Sequence, residues 1–132
     1  DCSDIDIQNM ISRAKNVRAH AYAPYSHFQV GVCILTSDGS YFDGCNCENA
    51  SYGATLCAEA SALGAMVSSG KREIQAIVVV GSTDEVCYPC GVCRQRIAEF
   101  ATKDTMVISC SKDGKSHTVP FHELLPYAFT EF

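Results

Sequence analysis

Two short segments carry the residue types that do chemistry. One is Cys57-Ala58-Glu59; the other is Pro89-Cys90-Gly91-Val92-Cys93, with Cys90 lying 33 positions (90 − 57) beyond Cys57. Cysteine sulfurs are soft ligands for a divalent metal, and three protein ligands leave the fourth tetrahedral position open to water, the pattern of catalytic zinc. Zinc held in this way makes water acidic near a pH of about 7. Glu59, two residues past Cys57, can reach that water without ligating the metal and can hand its proton to a substrate. Both segments open stretches of helical composition. A helix N-terminus favours negative sulfur through its dipole and its unpaired N–H groups.

Blander readings of the same residues are a redox pair or half of a structural zinc site. Neither needs Cys57-Ala58-Glu59 upstream of Pro89-Cys90, and a structural site wants a fourth ligand. Cys87 is the one suspicious neighbour for that place. The chain has nine cysteines, an odd number that cannot all pair internally, and its apolar content suits a reducing compartment. Cys2, Cys33, Cys45, Cys47 and Cys110 read as packing thiols. His20, His27, His117 and His122 show no ligand spacing with the cysteines and read as surface or structural.

The elements that must position these groups follow from periodicity. Apolar residues from Ile5 to Ala21 recur at helical spacing, with Ser3 or Asp4 as N-cap, and Pro24 ends the pattern. Phe28–Leu35 and Tyr41–Cys45 read as a hairpin around Ser37-Asp38-Gly39-Ser40. Leu56–Ser69 reads as a helix stopped by Gly70, Ile74–Val80 as a strand buried on both faces, and Gly91–Phe100 as a second site helix. Met106–Cys110 is a further strand, Asp113-Gly114 a turn, and His122–Leu125 a short helical turn before Pro126. The expected fold is α/β, a single domain over residues 1–132, three layers (α/β/α) around a mixed sheet of about five strands.

Composition narrows the function. The 132 residues are 47% apolar and 19% charged, with net charge −5. An acidic chain is poorly suited to gripping a phosphate backbone or an anionic membrane. No apolar run reaches the roughly 20 residues that span a bilayer. The opening Asp1-Cys2-Ser3-Asp4 does not read as a secretory leader, and without an initiator Met this end is expected to be trimmed. Nucleic acid and membrane are therefore not expected partners. A Cys-x-Glu followed by Pro-Cys-x-x-Cys, with the carboxylate outside the ligand set, is the signature of the zinc-dependent base deaminases.

Further segments sharpen this into a family resemblance. Pro24-Tyr25-Ser26-His27-Phe28, Gly44-Cys45-Asn46-Cys47-Glu48-Asn49-Ala50-Ser51-Tyr52, Pro89-Cys90-Gly91-Val92-Cys93-Arg94-Gln95 and Leu124-Leu125-Pro126-Tyr127-Ala128-Phe129 join the signature. With them the chain resembles cytidine deaminase, in its small homotetrameric form with three cysteine ligands. The resemblance implies one zinc ion on Cys57, Cys90 and Cys93, with Glu59 relaying protons between water, ring N3 and the leaving amino group. It implies a cytidine or 2′-deoxycytidine substrate, converted to uridine or deoxyuridine plus ammonia in cytoplasmic pyrimidine salvage. Asn46 and Glu48 would hold the ribose hydroxyls, Phe28 would line the base pocket, and the Ala58 N–H would hold O2 of the base. Phe129 would reach into a neighbouring subunit to stack on the pyrimidine, with Tyr52 at that shared wall.

One departure stands out. The family commonly carries Arg directly after the Glu, and here the residue is Ala60. Zinc with three thiolates sums to −1 (2 − 3), so a cation beside the sulfurs is expected. Arg94 is the expected donor. Two alternatives remain: a deaminase of another cytosine nucleoside, such as an aminoacyl-nucleoside antibiotic, and a non-catalytic zinc module. The ribose-binding run from Asn46 to Tyr52 argues against the first, and Glu59 against the second.

Overall fold

The computed structural model describes residues 3–130. The reading of Cys2 as a packing thiol falls outside these residues. Helix α1 spans Asp4–Arg18 and starts on a reciprocal cap, Ser3 Oγ accepting from Asp6 N–H while the Asp6 carboxylate accepts from Ser3 N–H. It ends at Ala19, short of the apolar spacing that runs on to Ala21. Strands β1 (Gly31–Thr36) and β2 (Tyr41–Cys45) form the expected hairpin. Helix α2 (Ala58–Ser68) leads to β3 (Ile74–Val80), helix α3 (Gly91–Ala98) to β4 (Ala101–Cys110).

A fifth strand, β5 (Ser116–Pro120), pairs antiparallel with β4 around the Asp113-Gly114 turn, before the short helix α4 (Phe121–Leu124). Its polar, mostly exposed residues and terminal Pro120 suit a sheet edge, and they hide it from any apolar pattern. The sheet order is β2-β1-β3-β4-β5, parallel only between β3 and β4. That pair is joined by α3, as a parallel crossover requires.

Alternation along the strands builds two cores. Val32, Ile34, Ile77, Val79 and Val107 face α2 and α3, together with Ala62, Met66 and Ile97. Cys33, Leu35, Ala76, Val78, Val80, Ile108 and Cys110 face α1, which supplies Met10 and Ala14. The central strands are therefore buried on both sides, and the three-layer α/β/α expectation describes the observed fold. Among the packing thiols, Cys33 and Cys110 are buried as expected. Cys47 is instead exposed, in a segment outside the named strands that is bridged to both Tyr22 and Leu56.

The seat of α2 depends on Gly44. A Cβ there would stand 2.4 Å from the Ala62 nitrogen and 2.7 Å from the Ala58 carbonyl oxygen. The helix that carries Glu59 thus lies directly on the β2 backbone. Gly44→Ala should push α2 away, cost about 1–3 kcal/mol and lower the melting temperature by several degrees. Thermal denaturation monitored by circular dichroism checks this, and an unchanged Tm would mean the helix is not seated there.

Candidate metal centre

The two chemical segments meet because both site helices lie on one face of the sheet and aim their N-termini at one place. Cys57 is the N-cap of α2. Its backbone is extended and its Sγ accepts from Ala60 N–H at 3.3 Å, the bond that a Ser or Asp cap would make. The residue before it is tied down by a two-way backbone pairing of Leu56 with Cys47 at 2.8 and 2.9 Å. Cys90 is the N-cap of α3, and Cys93 sits in that helix's first turn, buried.

Cys57, Glu59 and Cys93 form the cluster, their ligand atoms all within 4.8 Å of one another. Cys90 stays outside this group with an exposed thiol, near enough for its charge to act on Cys93. Glu59 is only 5% exposed. Burial, then the negative charge of Cys57, pushes its carboxyl up to about 7, so it can both take and release a proton near neutrality. Cys57 is pulled down to about 6, first by the hydrogen bond from the Cys93 thiol against the cost of burial, and further by Ala60 N–H and Arg96. Cys93, the donor in that pair, is pushed up. Soft sulfur donors, one held as thiolate under a helix N-terminus, fit a zinc ion.

Cys87 does not join the cluster. It packs beside Phe28 at Gly81, where a Cβ would meet Cys87 Cβ at 2.7 Å and Phe28 Cζ at 3.1 Å. Burial first, then the charge of Glu59, pushes its thiol up to about 11.

Arg94 requires a correction. It does not touch a sulfur: its Nε donates to Pro89 O at 2.8 Å and its Nη1 to Leu124 O at 3.0 Å, tying the α3 entrance to the end of α4. The guanidinium at the sulfurs is that of Arg96, with Nη1 3.3 Å from Cys57 Sγ and 3.9 Å from Cys93 Sγ. Helix geometry gives the reason. Residue i+1 points away from Cys93, whereas i+3 lies on the same face one turn on. That spacing was available in the sequence as the signal for Arg96.

A second set of polar groups lies nearby. Glu48 accepts from Tyr25 N–H and Ser26 N–H, each at 3.0 Å, and from the Ser26 hydroxyl. These bonds, led by the Ser26 hydroxyl, lower its pKa. Ser26 Oγ in turn accepts from Phe28 N–H at 3.0 Å. Glu48, Tyr25, Ser26, Asn49, Tyr52 and Thr55 line a hollow of about 400 Å³. Phe28 therefore links this hollow to Cys87 and the field of Glu59. Asn46 is 8% exposed, its Oδ1 accepting from Val30 N–H and its Nδ2 donating to Phe28 O, both at 2.9 Å. Ala58 opens α2, where its N–H has no partner within the helix. Tyr52 is 80% exposed and meets Tyr25 edge-on, while Phe129, 64% exposed, accepts at its carbonyl from Gln95 Nε2.

Fold and cluster together define a zinc-type hydrolytic centre, a carboxylic acid beside sulfur ligands at the carboxyl end of a buried parallel strand. Residues 5–109 match the cytidine and deoxycytidylate deaminase zinc-binding region, and the chain belongs to that family. It is 47% identical over 126 residues to the cytidine deaminase of Halalkalibacterium halodurans, covering 96% of each chain. The structure is similar to crystalline cytidine deaminase from Burkholderia pseudomallei, with TM-score 0.88, 43% identity and coverage of 92% of this chain and 98% of that one. Blasticidin-S deaminase of Bacillus cereus is a more distant relative, 33% identical over 109 residues and 76% of each chain.

Because Asn46 holds two partly buried backbone groups, Asn46→Ala should cost about 1–3 kcal/mol of stability. Glu48→Ala, at the half-exposed hollow, should cost less. Urea denaturation of both variants separates them, and equal midpoints would deny Asn46 its fastening role.

Proposed function

We propose that the protein catalyses zinc-dependent hydrolytic deamination of cytidine and 2′-deoxycytidine to uridine and deoxyuridine with release of ammonia. The observation that carries this reading is the buried carboxyl of Glu59, held near a pKa of 7 within 4.8 Å of two sulfur ligands. The matches to cytidine deaminases over nearly the whole chain support it.

Cys57, Cys90 and Cys93 hold the metal, which when bound supplies the activated water for the attack. Cys90 completes the set from the cap of α3, three residues before Cys93. Glu59 takes one proton of the attacking water and delivers it to ring N3, which makes C4 electrophilic. It then takes the second proton from the hydroxyl added at C4 and delivers it to the amino group, which leaves as ammonia when the C4–N bond breaks. Its burial keeps bulk water from competing for those protons. The Ala58 N–H, free at the start of α2, donates to O2 of the base.

Glu48 accepts from the ribose hydroxyls, and its negative charge disfavours a nucleotide phosphate. Asn46 holds the same hydroxyls with the remaining N–H and lone pair of its amide, while it fastens the segment from Phe28 to Val30. Phe28 packs against the base at the junction between hollow and cluster. Tyr52 and Phe129 belong to a wall completed between subunits of a homotetramer. Their exposure, with that of Leu56 and Val92, supports this, as does the open apolar groove of about 670 Å³ between α2 and α3. Unpaired thiols at the metal site suit the reducing cytoplasm, where the reaction would serve pyrimidine salvage.

Purified zinc-loaded protein should lower the cytidine absorbance and release one ammonia per uridine formed. Glu59→Gln should lose at least about 10²–10⁴-fold in kcat while retaining zinc. Preferred turnover of an aminoacyl-cytosine nucleoside over cytidine, or full activity in Glu59→Gln, would overturn the proposal.

A further inference from the structure

Three thiolates around a divalent ion carry one excess negative charge, and Glu59 adds another within the same cluster. A buried anionic group of this kind needs a cation or donated hydrogen bonds. The residue directly after Glu59 is Ala60, which offers only its backbone N–H to Cys57. Arg94 is spent on the Pro89 and Leu124 carbonyls. Arg96 remains. It reaches from α3 across the seam to α2, donating to Cys57 Sγ at 3.3 Å and to Cys93 Sγ at 3.9 Å. Ala60 and Arg96 line the same groove, so the small side chain at 60 leaves open the space through which the guanidinium approaches.

We infer that Arg96 is a positioning residue for the metal centre, supplying from α3 the positive charge that the α2 site helix lacks at position 60. This rests on the reading of Cys57, Cys90 and Cys93 as the zinc ligands. A single guanidinium bonded to sulfurs of two different helices does two things. It offsets the thiolate charge, and it holds the two N-termini at the separation one metal ion requires. Arginine suits this task because its several N–H groups diverge in one rigid plane and its charge is permanent.

The test is zinc retention, read independently of turnover. Zinc-loaded wild type, Arg96→Ala, Arg96→Lys, and Arg96→Ala combined with either Ala60→Arg or Ala60→Met are titrated at fixed pH with a chromogenic chelator. Melting curves are recorded for the metal-free forms. The wild type should hold one zinc per chain, and Arg96→Ala should hold it about 10–100-fold less tightly with an unchanged metal-free melting curve. Arg96→Lys should recover part of the affinity. Ala60→Arg should restore it in the Arg96→Ala background, and the uncharged Ala60→Met should not. Wild-type retention in Arg96→Ala, or equal rescue by Ala60→Met, would overturn the inference while leaving the zinc site intact. A wild type that binds no zinc would instead remove the ligand assignment on which the inference rests.

Discussion

The constraint on which the structure depends is the gathering of acidic groups in a place largely closed to water. Cysteine sulfurs and a nearly fully buried carboxyl cluster in a chain that already carries net charge −5. Such a cluster repels itself and loses hydration, so the fold must bring positive potential to it. It does so with two helix N-termini aimed at one point, with the Ala60 N–H on Cys57, and with the Arg96 guanidinium spanning both sulfurs. The rest of the architecture serves that convergence. The sheet gives α2 and α3 a common platform, the Gly44 backbone lets α2 lie close against β2, and Arg94 fixes the entrance to α3.

The same field sets the chemistry. Burial raises Glu59 toward neutrality, where a carboxyl can carry protons in both directions. The neighbouring Cys57 is driven the opposite way, toward thiolate, by donated hydrogen bonds. Two acids whose ligand atoms lie within 4.8 Å of one another are thus separated in role by environment alone. The polar hollow at Glu48 is held differently, by backbone N–H groups of Tyr25 and Ser26. Phe28 connects the two regions, its backbone fastened by Ser26 and Asn46 and its ring flanking Gly81, as Cys87 does.

Much of this is legible in the sequence, for identifiable reasons. Ile74–Val80 appears as β3 with the bounds its apolar run implies, because a strand covered on both faces has little choice of residue. The two site helices start where their cysteines cap them. What escapes is what depends on solvent-facing or three-dimensional relations. β5 is an exposed edge with no alternation to detect. That the Asn46 side chain also fastens the Val30 N–H and the Phe28 carbonyl is a long-range relation that no local pattern carries. Proximity in sequence points to Arg94 at the sulfurs, whereas the helical turn brings Arg96 there. Each difference arises where local pattern gives way to which side of an element a residue occupies.

The most direct measurement is zinc-edge X-ray absorption on the purified, metal-loaded chain. The account predicts a tetrahedral ion with three sulfurs at about 2.3 Å and one light-atom ligand. Four sulfurs, with Cys87 drawn into the shell, would close the position that water needs. Two sulfurs with a carboxylate would turn Glu59 from proton carrier into ligand, and either result would contradict the account.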